Sequence, residues 1–409
     1  MNRRDFLKGA AALGSAGWIL GPAGWIASAF ADTGNQARLI VVFLRGAVDG
    51  LNVVPPHGDA AYFEMRPSIA VPPPAIADLD GHFGLHPALG SLMPLWRERS
   101  LAFVHACGSP DPTRSHFDAQ DYMESGTPGV KSTPDGWLNR LLAAMPGPHR
   151  PTDALNLGPV VPRILAGPMA VANLPMGRGA GRPLPLDRPR VEQAFARLYP
   201  GSDPLSRAFQ EGYQSRQKLL AELNQDMKAA DNGAPYPDRA FIQSSARLGA
   251  LMARDPSIRI AFAALGGWDT HVNEGAAEGQ LANHLRPLGD GLASLARALG
   301  PAYRHTVMVV MSEFGRTARQ NGNGGTDHGH GNVMWLLGGP VRGGKVYGTW
   351  PGLGESELYQ GRDLALTTDF RAVLSVVLQR HLGIGAAGLQ RVFPGFSPST
   401  RGLDDLVQA

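Results

Sequence analysis

From Arg38 onward, short β-rich apolar runs alternate with longer stretches of helical periodicity, and this order constrains the 409-residue chain more than any other feature. Parallel strands can be joined only by crossovers, so such an alternation predicts an α/β fold with a mainly parallel sheet and helices on both faces. The first run, residues 39–44, is almost wholly apolar, as a strand covered on both sides must be. Further strands are predicted at 101–105, 257–265, 306–311 and 333–337. Helices are predicted at 87–97, from Ser115, at 203–231, at 238–254 and at 279–299 with a break near Pro287. A last helix is predicted from the Thr367-Thr368-Asp369 cap to about residue 381. Residues 146–190, rich in Pro and Gly, are expected to be an insertion or cap on a single domain spanning 32–409.

Composition narrows the function. The net charge is +3, and the first 31 residues hold Arg3, Arg4 and Lys8 against Asp5, so the remainder is nearly neutral. A nucleic-acid partner is not expected, since it would call for clustered positive charge. Cys107 is the only cysteine, which removes disulfide frameworks and cysteine-rich metal sites and leaves oxygen and imidazole groups to carry any chemistry. Its expected place is the core. No Gly-x-Ser-x-Gly elbow or His-Glu-x-x-His is present, which argues against a standard serine esterase or zinc protease.

Residues 1–31 read as a twin-arginine export signal: Arg3-Arg4, an apolar pair, Lys8, then a Gly/Ala-rich run ending in Ala29-Phe30-Ala31, suited to cleavage before Asp32. The apolar stretch before Pro22 is shorter than the ~18 residues a membrane span needs. The expected partner at this end is the twin-arginine machinery, and the expected destination is the periplasm or the exterior. Membrane contact is expected only through the signal or the insertion.

In open α/β sheets, ligands bind beyond the carboxyl ends of the strands. Five polar segments fall there or nearby: Arg45 to Gly50 after the first strand, Ser115-His116-Phe117-Asp118, Gly266 to His271, Ser312 to Thr317, and Gly325 to Asn332 just ahead of the strand at 333–337. Carboxylates and histidines without cysteine suit zinc, manganese or iron, with magnesium or calcium at an oxygen-rich position. One or two such ions, or none, are compatible with the residues. Two close ions would bind a phosphate or sulfate ester and activate a hydroxyl. Ser115 at a helix start fits that nucleophile, and Arg114 or Arg316 fits a planar clamp for the ester oxygens.

Taken together, Arg45 to Asn52, Ser115-His116-Phe117, Gly267 to His271, Ser312 to Thr317 and Gly325 to Asn332 resemble the hallmarks of the exported family called domain of unknown function 1501. The likeness covers nearly all of the chain after the signal. That family is grouped with the alkaline phosphatase and sulfatase superfamily, and the resemblance implies an alkaline-phosphatase-like, metal-dependent ester-hydrolase fold. It also implies that Asp49 and Ser115 match the superfamily's first-strand aspartate and nucleophile, and that Asp269 and His271 resemble its Asp/His group. A departure occurs at Asp327-His328-Gly329, which precedes a strand, whereas Glu313 stands where the superfamily has its strand-end Asp-His pair. The expected groups are therefore Asp269 and His271 with His328 or His330 for one ion, and Asp49, Glu313 and Ser115 for the other. Asp327 is expected as a ligand or as a partner behind one. The function expected is hydrolysis of phosphate or sulfate esters by an exported enzyme; the alternative is a non-catalytic exported binding or assembly protein that keeps the fold.

Overall fold

The computed structural model describes residues 37–158, 160–174, 189–207, 209–211, 214 and 237–408. The expected export signal and most of the helix expected at 203–231 lie outside the described residues.

Nine strands form the main sheet among the described residues: β1 (Arg38–Leu44), β2 (Leu101–Gly108), β3 (Ala154–Leu157), β4 (Ala172–Leu174), β5 (Ile260–Leu265), β6 (Thr306–Ser312), β7 (Asn332–Gly338), β8 (Lys345–Tyr347) and β9 (Thr368–Asp369). Their spatial order is β8-β2-β7-β6-β1-β5-β3-β4, with β9 continuing along β2. Every pairing is parallel except those of β7, which runs antiparallel to both β2 and β6. Six helices cover the sheet or carry residues of the site: α1 (His116–Ser125), α2 (Trp137–Ala144), α3 (Pro237–Arg254), α4 (Gln280–Leu299), α5 (Phe370–Arg380) and α6 (Ala386–Val392).

The two-residue period of a strand divides the core. Ile40, Val42 and Leu44 of β1 pack into a layer with Phe241 and Leu248 of α3 and Leu285, Leu288 and Leu292 of α4. Leu39, Val41 and Phe43 pack on the other face with Leu138 and Leu141 of α2, Val373 and Val377 of α5, and Leu389 of α6. Helices thus cover both faces, as the unbroken apolar run of β1 requires. Cys107 is buried in β2, and burial pushes its thiol well above the ordinary range.

The structure differs from the sequence expectations at four places. Helix α4 passes through Pro287 without a break, because Leu281, Leu285, Leu288 and Leu292 form one continuous buried face whose packing outweighs a lost backbone hydrogen bond. Helix α5 is followed by α6. Residues 87–92 are 3-10 rather than α-helix, joined to a short helix at Met93–Arg97. Within the segment 146–190, β3 and β4 extend the sheet itself.

Candidate metal centre

Because β7 runs against its neighbours, the loop before it shares an edge of the sheet with the loops after the parallel strands. Residues 109–116 leave β2, 266–274 leave β5, 313–319 leave β6 and 325–331 enter β7 at that common edge. There His116, Asp269 and His328 each bring a ligand atom within 4.8 Å of the others. His328 Nε2 lies 3.0 Å from His116 Nε2, 3.0 Å from His271 Nε2 and 3.2 Å from Asp269 Oδ1. Asp269 Oδ1 is 3.0 Å from His271 Nε2, and Asp269 Oδ2 is 3.5 Å from His116 Nε2. Ligands at about 2.0–2.1 Å from one ion in a tetrahedron stand about 3.3–3.4 Å apart, so these separations have the scale of a coordination sphere.

The other ring nitrogens fix the tautomers. His116 Nδ1 faces Glu313 Oε1 at 2.8 Å, His271 Nδ1 faces Asp327 Oδ1 at 3.1 Å, and His328 Nδ1 faces the Arg114 carbonyl oxygen at 2.8 Å. Each of those oxygens accepts, so each Nδ1 carries the hydrogen and donates it. In the neutral rings, the Nε2 atoms of His116 and His271 each turn a lone pair toward that of His328, and all three face the Asp269 carboxylate. Lone pairs and an anion packed this closely repel one another unless a cation or protons stand among them. The donor set, imidazole plus carboxylate with each imidazole backed by an oxygen, fits a divalent transition metal such as zinc.

The charges agree. The Glu313 hydrogen bond raises the His116 pKa against the opposing effect of burial. Burial lowers that of His328, and the charge of Arg316 lowers it further. Burial pushes the Asp269 carboxyl up, but the bond and charge of Arg316 outweigh it and hold Asp269 below the ordinary carboxylate range. Arg316, itself buried, donates from Nη1 to Asp269 Oδ1 at 2.6 Å and from Nε to the Thr326 hydroxyl at 3.1 Å, and bonds the Thr326 carbonyl as well. Arg316, expected as an ester clamp, is therefore already engaged in aiming Asp269.

The remaining expected residues take different places around this cluster. Glu313, expected as a ligand, is fully buried behind His116 and accepts from Gly46 N at 2.8 Å and Gln120 Nε2 at 2.9 Å. Asp327 backs His271 and accepts from Asn321 at 3.1 Å. His330 is away from the cluster, stacked on Tyr359 with centroids 4.5 Å apart, which leaves His328 as the histidine of the pair that joins it. Arg114 spends its guanidinium on Asp363, at 3.1 and 2.5 Å, and on Gln360 at 2.9 Å. Ser115 is exposed and is the N-cap of α1, although its side chain makes no capping bond. It sits between Arg114, whose carbonyl holds His328, and His116, whose ring is in the cluster.

Asp49 does not assemble with the expected second-ion group. Its carboxylate is fully buried and ion-paired with Arg66, which bonds it from both Nη atoms, the Nη2 contact at 3.1 Å. Beside it lies Glu274, which accepts from Asn52 at 3.0 Å and from the hydroxyls of Thr270 and Thr326 at 2.8 and 2.9 Å. Burial pushes both carboxyls up; Arg66 brings Asp49 back below the ordinary range, whereas Glu274, beside the Asp49 charge, stays well above it. Thr270 lies between Asp269 and His271, and Thr326 adjoins Asp327, so this network ties the two ligand-bearing loops to the end of β1.

The glycines of the segment 325–332 answer to close backbone packing. A Cβ on Gly325 would stand 2.4 Å from the His271 carbonyl carbon, and one on Gly329 would stand 2.4 Å from that of Arg316. Sequence reasoning missed His116 as a ligand. Its signal was its place beside Ser115 at a helix start, in one of the four segments that meet at the cluster.

The oxygen behind a metal-binding histidine fixes its tautomer and raises its basicity, and losing one typically costs about 10–100-fold in metal affinity. Glu313→Gln is therefore expected to weaken zinc binding by about that factor without changing the stoichiometry, as read by competition with a chromophoric chelator; unchanged affinity would show that His116 does not bind the ion.

Fold and cluster together define an α/β protein with a candidate His/Asp metal centre at the carboxyl edge of its sheet. Over residues 36–393 the chain matches the family described as "Protein of unknown function (DUF1501)", and it belongs to that family. No curated protein is matched by its sequence. Among solved structures it is similar to Ps i-CgsB in complex with k-i-k-neocarrahexaose, at 11% identity and TM-score 0.41, covering 90% of this chain and 75% of that one. It is similar to the PsFucS1 sulfatase from Pseudoalteromonas sp., at 13% identity and TM-score 0.41, covering 94% and 76%. It is also similar to the zinc complex of the C-terminal periplasmic domain of EcEptC from Escherichia coli, at 11% identity and TM-score 0.35, covering 75% and 74%.

Proposed function

We propose that the protein is an exported, metal-dependent hydrolase of phosphate or sulfate esters. The observation that carries this reading is the convergence of three imidazole Nε2 atoms, each with its Nδ1 committed to an acceptor, on the Asp269 carboxylate. His116, Asp269, His271 and His328 would hold the ion, with Glu313, Asp327 and Arg316 orienting them. A divalent cation bound there supplies Lewis-acid stabilisation of an ester oxygen.

Ser115 is the nucleophile in this reading. Its Oγ forms a bond to phosphorus or sulfur as the bond to the alcohol breaks, and its proton leaves on the alcohol. Water then cleaves the serine ester, releasing the anion and restoring the hydroxyl. The partly exposed side chains of the cluster leave it accessible from solution. The twin-arginine segment supports export, cleavage before Asp32 and a periplasmic or external location for a single domain of residues 32–409. Among the described residues, no helix is long and apolar enough to cross a membrane.

A second reading, a non-catalytic binding or assembly protein, draws support from Asp49, whose commitment to Arg66 removes one member of the expected second-ion group. One experiment separates the two: metal analysis of the purified protein, followed by assay of the loaded form on 4-nitrophenyl phosphate and 4-nitrophenyl sulfate. The enzyme reading expects turnover of one of them and loss of at least about a hundredfold in Ser115→Ala with metal content retained. Bound metal with turnover of neither favours the binding protein, and full turnover in Ser115→Ala removes the nucleophile assignment.

A further inference from the structure

We infer that the esters taken by this site carry a hydrocarbon group, seated on Phe117 and Val272 at the mouth of the metal centre. The inference rests on the metal-hydrolase reading above and names the substrate class for it. Phe117 follows His116 and is 89% exposed; Val272 follows His271 and is 49% exposed. Two of the histidines in the cluster are thus each followed directly by a large apolar side chain turned to water.

Neither side chain has a structural reason to be apolar. A helix start places hydrophobic staple residues just before the cap and four positions after it, which here are Arg114 and Ala119, whereas Phe117 is at the second helical position. Isolated exposed valines are ordinary, but Phe117 and Val272 each adjoin a histidine of the same cluster. Among the described residues, eight large hydrophobic side chains are exposed, and Phe117 is the most exposed of them.

The chemistry of this rim selects the occupant. The ring face of Phe117 and the Val272 side chain offer dispersion and water release and no hydrogen bonds, so they suit an alkyl or aryl group rather than a polyhydroxylated one. The polar groups are those of the metal cluster, where the charged end of an ester would sit. An ester with an anionic head and a hydrocarbon body fits both parts at once.

The test uses the protein loaded with zinc and a series of unreactive n-alkylphosphonates from methyl to octyl, with binding followed by calorimetry. Affinity is expected to rise about two- to fourfold per added methylene, near the value for a methylene leaving water. In Phe117→Ser combined with Val272→Ser, the octyl-to-methyl ratio is expected to collapse toward one, while Phe117→Leu, which stays apolar, keeps it. Zinc content measured alongside reports that the variant centre has assembled. A flat series in the native protein, or a steep one in the double serine variant, overturns the inference and leaves the metal reading standing. A flat series accompanied by Phe117-dependent sedimentation with phosphatidylcholine vesicles also overturns it, giving the rim to a membrane surface. Failure of the native protein to bind zinc overturns the metal reading itself, and this inference with it.

Discussion

His328→Ala is expected to empty the metal centre: a protein that binds one zinc per chain should fall below a tenth of that content after dialysis. His328 is at the middle of the cluster, with its Nε2 within 3.2 Å of donor atoms on His116, His271 and Asp269. A four-ligand zinc site is worth roughly 10–16 kcal/mol, so one ligand accounts for about 3 kcal/mol, or more than a hundredfold in affinity. His330→Ala supplies the control. That ring is two residues away but stacks on Tyr359, and its loss should leave the metal content intact. Equal loss in both variants would mean that the loop responds as a whole and that His328 is not singled out as a ligand.

The opposite pattern is expected one layer below. Asp49→Asn should lower the stability of the metal-free protein by about 3–5 kcal/mol, because it leaves Arg66 buried without its counter-charge, while the zinc stoichiometry of the folded protein stays the same. Arg66→Ala should cost at least as much, since Arg66 also donates to the carbonyls of Ala318 at 2.8 Å and Thr317 at 2.9 Å. Urea unfolding of the metal-free variants reads this as a lower midpoint at unchanged slope. A ligand would behave otherwise: removing a carboxylate from an empty site relieves repulsion, so the metal-free protein would gain stability while metal binding fell. That outcome for Asp49→Asn would return Asp49 to the metal.

These two residues show how far the sequence reached. Asp49 and His328 both lie in polar, glycine-containing segments near strand ends, and composition alone favours a site at each. What separates them is Arg66, a residue in no recognisable motif that the fold brings against Asp49. His116 is the converse case: nothing in its spacing marks it as a ligand, yet its ring lies between Glu313 and His328. Glu313 was a candidate ligand because it follows a strand, but whether a carboxylate faces the cluster or the back of a histidine depends on a single side-chain direction.

The sequence by itself determined the layered α/β plan, because an apolar run such as residues 39–44 can be buried on both faces only between helices. It also marked five polar segments, four of which supply the side chains of the candidate centre, since polar and glycine residues crowd where strands end. Only the tertiary structure decided that the segment 325–331 joins the others. That segment precedes its strand, and it reaches the shared edge because β7 alone runs antiparallel to its neighbours. Strand direction is fixed by pairing between segments far apart in the chain, such as Val309 with Leu336, and no local pattern of residues encodes it.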